Sequence, residues 1–231
     1  MKQQQRVAET LAWMERRGSK KNRDGMARYG IVATMVYGVS VGDLRDKAKE
    51  LGRDHDLALA LWESGWYEAR MLAGFVDEPA KVTPAQMDRW AKDFDHWAVC
   101  DHLCFHLFDR TPHAWSKIGK WSTNRNEFIK RASFALLSGV ALHDKKAPDK
   151  PFVDSLPLIE AAASDNRNFV KKGVSWALRT IGHRNAALHS MATDTATKLA
   201  SSSDATERWI GKDTLKDLSR ETVKARVAKR T

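Results

Sequence analysis

One pattern governs what this chain can become: four times over, an aromatic residue opens an apolar, helix-like stretch. Trp66-Tyr67-Glu68-Ala69-Arg70, Trp97-Ala98-Val99-Cys100-Asp101, Phe128-Ile129-Lys130-Arg131 and Phe169-Val170-Lys171-Lys172 share it, with leading aromatics 31, 31 and 41 residues apart. Shorter helical patterns lie between them, at 83–94, 113–120 and 151–163. A helix pair that cannot bury its apolar face alone, recurring at roughly 30–45 residues, predicts stacked repeats of the HEAT kind. Strand-like alternation is nearly absent, and Pro79, Pro112 and Pro148 fall between the helical patterns. The expectation is an all-α, HEAT-like helical repeat solenoid with a concave face, folded as a single domain over 1–231.

The flanks fit the same class. Residues 2–17 predict a first helix with Val7, Leu11 and Met14 at core spacing, ended by Gly18. Lys20-Lys21-Asn22-Arg23-Asp24-Gly25 is expected to form a basic turn, and Met26-Ala27-Arg28-Tyr29-Gly30 to open a short helix ending near Tyr37-Gly38. Ser40 is expected to cap the helix of Leu44, Ala48 and Leu51. At the other end, 212–230 carries seven basic residues (Lys212, Lys216, Arg220, Lys224, Arg226, Lys229, Arg230) and three acids, with Leu215, Leu218 and Val223 as a weak apolar stripe. A basic C-terminal helix or two is expected there, with Ser201-Ser202-Ser203-Asp204 as the preceding loop and cap.

Charge narrows the partner. Lys plus Arg number 39 against 29 Asp plus Glu, a formal net charge of +10, which favours a polyanion: nucleic acid first, an anionic membrane surface second. No apolar run approaches the roughly 18 residues of a bilayer span. Met1-Lys2-Gln3-Gln4-Gln5-Arg6 lacks the apolar core of a signal peptide. Two cysteines do not make a disulfide framework. The cytoplasm is the expected location.

The residues that carry chemistry emerge when the repeats are superposed. Counted from the leading aromatic, Arg70 and Asp101 stand at plus four, Arg131 at plus three and Trp176 at plus seven. Offsets of zero, three, four and seven share one helix face, so Trp97, Asp101, Arg131 and Trp176 are expected on neighbouring parts of one surface. Asp101 lies one turn from Trp97 inside an apolar run, and burying a carboxylate costs several kcal/mol unless it is paired. Local conflicts of this kind mark functional sites. His96, Cys100 and Cys104 fall at i, i+4 and i+8, with His102 and His106 nearby. Consecutive turns of one straight helix rarely close a tetrahedral site, so no metal is expected.

These residues resemble the bacterial DNA alkylation repair glycosylases of the AlkD type, which are HEAT-like repeat proteins. The resemblance covers nearly the whole chain. It rests on Met26-Ala27-Arg28-Tyr29, Trp97-x-x-x-Asp101, Lys120-Trp121, Phe128-Ile129-Lys130-Arg131-Ala132 and the run Phe169-Val170-Lys171-Lys172-Gly173-Val174-Ser175-Trp176-Ala177-Leu178-Arg179. It implies hydrolysis of the N-glycosidic bond of cationic N3- and N7-alkylated purines in double-stranded DNA, without flipping the base into a pocket. Asp101 matches the catalytic Asp, and Trp97 and Trp176 match the indoles that cradle the lesion's deoxyribose. Arg131 matches an Arg that contacts the backbone near the lesion. Tyr29, Arg179 and Lys172, with Arg28 and Lys171 beside them, are expected to face DNA. Two positions depart from the pattern: His96 stands where another aromatic is expected, and Gly173 where Ala is usual.

The implied chemistry is self-consistent. A purine alkylated at N3 or N7 is already a cationic leaving group, so the enzyme needs little general acid. It needs one carboxylate and aromatic faces beside a sugar that becomes oxocarbenium-like, and a positioned water. The expected protein is therefore a monomeric, cofactor-free enzyme. A non-catalytic DNA-binding solenoid, with Asp101 structural, is the alternative; a protein-binding scaffold and an RNA binder are less well matched to the basic residues around the indoles.

Overall fold

The computed structural model describes residues 2–31 and 33–229. They contain helices and turns and no strand, and they fall into two compact units, Met1–Thr111 and Pro112–Thr231. In a chain of stacked repeats each helix packs mainly on its neighbours, so such units are the natural subdivision.

In the first unit, α1 (Lys2–Arg17), α2 (Lys20–Met26) and a 3₁₀ turn (Ala27–Tyr29) precede α3 (Val41–Leu51), α4 (His55–Glu63), α5 (Tyr67–Val76), α6 (Pro84–Lys92) and α7 (Trp97–His106). Helices α3, α4 and α7 pack on α5, and α1 packs on α4. Leu57, Leu61, Leu72, Met87 and Leu103 are fully buried in this unit. Burying a side chain of this size contributes about 2 kcal/mol. The indoles of Trp62 and Trp90 stack at 4.2 Å and are also buried.

The second unit holds α8 (Ala114–Trp121), α9 (Glu127–His143), α10 (Lys150–Val153), α11 (Leu156–Ala162), α12 (Asn168–Gly182), α13 (Ala186–Ala200), α14 (Ala205–Leu218) and α15 (Glu221–Val227). Helix α12 is central, packing on α9, α11, α13 and α14. The openings of α9 and α12 are knitted together. The rings of Phe128 and Phe169 lie 5.3 Å apart, and the Glu127 carboxylate accepts the Phe169 amide at 3.1 Å. That bond satisfies one of the donors a helix start leaves orphaned. The repeated aromatic thus marks a real structural register.

Helix starts follow capping chemistry. Ser40, Asp54, Thr83, Asn126, Asn185 and Asp204 each accept an amide of the first turn, an interaction worth about 1 kcal/mol apiece. Pro84, Pro151 and Pro157 sit in first turns, where the missing N–H costs nothing.

Three details differ from the sequence reading. The basic segment expected as a turn is the helix α2, because Ser19 caps it by accepting from Asn22 N. The helix expected from Met26 to Tyr37-Gly38 is instead a 3₁₀ turn followed by irregular chain. There the buried Glu68 carboxylate takes the amides of Tyr37 (3.0 Å), Gly38 (2.6 Å) and Val39 (3.1 Å), which a helix would have used internally. Third, the expected 151–163 helix is two helices, broken at Asp154-Ser155. Pro157 has no N–H and its ring would collide with the carbonyl four residues back. The tail forms α14 and α15 as expected; Arg230 lies outside the described residues.

Candidate functional site

Helix α7 begins at Trp97, and His96 is its cap. The His96 ring is buried, and its Nδ1 accepts the Ala98 amide at 3.2 Å, so the proton sits on Nε2, which faces Asp95 at 3.4 Å. Burial foremost pushes the His96 pKa down, with Asp95 acting against it and Arg70 adding to it. A neutral ring is what a capping acceptor requires. The aromatic expected at this position is thus replaced by a ring that fixes the start of the helix, 5.3 Å from the Tyr67 ring.

Trp97 and Asp101 follow one turn apart, both half-buried on a helix whose other residues are mostly buried. The Trp97 Nε1 donates to the Tyr29 carbonyl at 2.9 Å, which ties the 3₁₀ turn to α7 across 68 residues of sequence. Tyr29 itself is 70% exposed. It lines a cleft of about 440 Å³ with Arg28, Lys21, Asn22, Ile31, Val39 and Tyr67. Of the residues singled out in this unit, Arg28, Tyr29 and Trp97 are joined through that cleft and that bond, and Asp101 stands on the Trp97 face of α7.

The cysteines and histidines of α7 are placed by packing. Cys100 and Cys104 are fully buried, and burial foremost pushes the Cys104 thiol up. His102 gives its Nε2 to the Met71 carbonyl at 2.7 Å, and its ring meets Phe75 edge-on at 4.4 Å.

In the second unit, Arg131, Lys172, Trp176 and Arg179 line one hollow of about 280 Å³ together with Trp209 and Asp213. Arg131 is largely buried, and its Nη1 donates to the Phe169 carbonyl at 2.8 Å. Part of its hydrogen-bonding capacity therefore holds α9 to α12. Lys171 turns its ammonium over the Trp209 ring, 5.2 Å from the centroid.

Trp209 and Asp213 were not legible as site residues. They lie on α14, a helix without a leading aromatic, and only its packing on α12 brings them to the hollow. The spacing of the pair, four residues, was the available signal. Asp213 accepts from the Ser175 hydroxyl at 2.6 Å and lies 3.7 Å from Arg179 Nε.

A chain of helical repeats carrying aromatic–carboxylate and aromatic–cation surfaces defines a class, the HEAT-like repeat proteins. A solved structure described as "A new family of proteins related to the HEAT-like repeat DNA glycosylases with affinity for branched DNA structures" shares the fold with a TM-score of 0.77 at 18% identity, covering 96% of this chain and 95% of that one. A designed armadillo repeat protein overlaps more distantly, at a TM-score of 0.35 and 13% identity over 78% of this chain and 93% of that one. No curated protein sequence matches significantly. The chain belongs to the family described as DNA alkylation repair enzyme, whose pattern it matches over residues 10–218.

Proposed function

We propose that this protein is a DNA glycosylase that releases cationic N3- and N7-alkylated purines from double-stranded DNA. The observation that carries the reading is the pair on α7: an indole and a carboxylate one turn apart, both reaching the surface from an otherwise buried helix, in a chain of the DNA alkylation repair family.

The chemistry assigns each side chain a role. The Asp101 carboxylate stabilises positive charge as it develops on the deoxyribose and orients the attacking water. The face of Trp97 attracts the same oxocarbenium-like sugar through its π cloud, and Trp176 offers an indole of the same kind in the second unit. The alkylated base leaves as a neutral purine, without a protonating group and without entering a pocket. Arg28, Tyr29, Arg131, Lys171, Lys172 and Arg179 hold the DNA, chiefly through phosphates. No metal or cofactor takes part in this scheme.

The test is release of 7-methylguanine or 3-methyladenine from alkylated duplex DNA by wild type and by Asp101→Asn, with circular dichroism to establish that both are folded. Wild type is expected to free the base, and Asp101→Asn to be at least about 100-fold slower, the scale seen when a transition-state charge partner is removed. Equal rates would overturn the assignment of Asp101.

A second reading has its own support. The similar structure described above is named for affinity to branched DNA. Should folded wild type bind DNA and free no base, the protein is a non-catalytic HEAT-like binder of damaged or structured DNA.

A further inference from the structure

The hollow of the second unit contains more than the proposed chemistry uses. Trp209 is 38% exposed, whereas Trp62, Trp90 and Trp121 are buried. It lines the same hollow as the half-buried Trp176. An indole left facing water between cations forgoes the burial that usually places this residue type. Three cations, Arg131, Lys172 and Arg179, share the hollow, and Lys171 stands over the Trp209 ring. The single carboxylate, Asp213, is engaged by Ser175 and Arg179.

We propose that this hollow is a subsite for one unpaired nucleotide of DNA, stacked on Trp209 and held by its phosphate on Lys172 and Arg179. The inference rests on the DNA-binding reading above and extends it to a ligand outside the duplex. A paired base offers only its edges, because its faces are covered by its neighbours. A base can stack on the partly exposed Trp209 indole only after leaving its own stack, and aromatic rings within a cationic groove are how unpaired strands are held. Asp213 is a positioning residue here. On the turn of α14 after Trp209, it fixes Arg179 through its charge and anchors α14 to α12 through Ser175.

The experiment compares binding of the full chain to a fluorescein-labelled duplex and to the same duplex with one bulged nucleotide, by anisotropy at fixed salt. Wild type is expected to prefer the bulged duplex by about tenfold, the scale of one base–aromatic stack. Trp209→Ala is expected to lose that preference while binding the perfect duplex within about twofold of wild type, and Trp209→Phe to keep most of it. Circular dichroism and a thermal melt establish that Trp209→Ala and Trp209→Phe are folded before their binding is compared. Wild type that binds both duplexes equally, or Trp209→Ala that keeps the preference, overturns the subsite and leaves the DNA-binding reading standing. Wild type that binds neither DNA overturns both.

Discussion

His102 occupies the middle of the helix that carries Trp97 and Asp101, and it is neutral by construction. Its Nε2 donates to the Met71 carbonyl, since a carbonyl can only accept. That bond by itself favours the charged ring, but burial foremost, helped by His106 and Arg45, outweighs it and holds the pKa down at about 3. The unfolded chain would titrate this ring near 6.5. Between those values the unfolded state binds a proton that the native state refuses, so stability rises with pH and falls on acidification through pH 6.5. From pH 7 to pH 5 this one group is expected to remove about 2 kcal/mol. Urea unfolding at the two pH values checks it: His102→Gln should lose about that much less than wild type. Identical losses would mean the ring is protonated in the native state. Nothing in the sequence announced this, because the desolvation comes from α5, 31 residues away. Glu68 is the same kind of case. It stood in plain view beside a repeat aromatic, yet its three amide partners belong to a segment 29 to 31 residues earlier.

At the scale of elements, helix packing gives glycine opposite meanings at two positions, Gly173 on α12 against α9 and Gly211 on α14 against α13. A Cβ at Gly173 would meet Phe134 Cβ at 3.5 Å and Arg131 Cγ at 3.6 Å, ordinary van der Waals contact. The Ala usual at this position therefore fits. Gly173→Ala should stabilise the chain by about 1 kcal/mol, the helix-propensity gain of Ala over Gly, which for a protein of this size raises Tm by about 2–4 °C. Gly211→Ala is the contrast: its Cβ would lie 2.3 Å from the Ala200 amide nitrogen, a backbone atom that cannot step aside. A lower Tm for Gly173→Ala in a thermal melt would show that the α9–α12 interface has no room. The elements themselves were largely readable where local chemistry decides them. Ser40 and Asp204 cap the helices expected of them, and the four repeat aromatics stand at helix openings, Trp66 as the residue before α5. The irregular chain after Tyr29 was not readable, because a distant carboxylate takes its amides. Four of the six residues lining the hollow in the second unit, Arg131, Lys172, Trp176 and Arg179, were readable from the α9 and α12 stretches; Trp209 and Asp213 on α14 were not.

The whole molecule carries a net charge of +10, and the question is how much of it meets phosphate. Many cations answer to acids of their own chain. Lys130 and Arg167 both hold Asp165, at 2.9 and 2.5 Å, and they keep its carboxyl well below its ordinary range. Arg131 and Lys171 are partly committed to the Phe169 carbonyl and the Trp209 ring. Among the residues assigned to DNA, Arg28 in the first unit and Lys172 in the second, with Arg179 shared between Asp213 and the ligand, carry the contact, so about three to five phosphates are expected to be neutralised. Each contributes close to 0.9 to the slope of log K against log salt, so affinity should fall about 40- to 500-fold between 50 and 200 mM salt. The slope also apportions the contact. Lys172→Gln should lower it by about one, and Arg28→Gln by about one more, if both units hold the backbone. Titrations of an unmodified duplex at four salt concentrations would measure this. A slope unchanged by Arg28→Gln would confine the phosphate contact to the second unit. A flat response in wild type would mean that the positive charge serves solubility, and that neither unit holds DNA through its backbone.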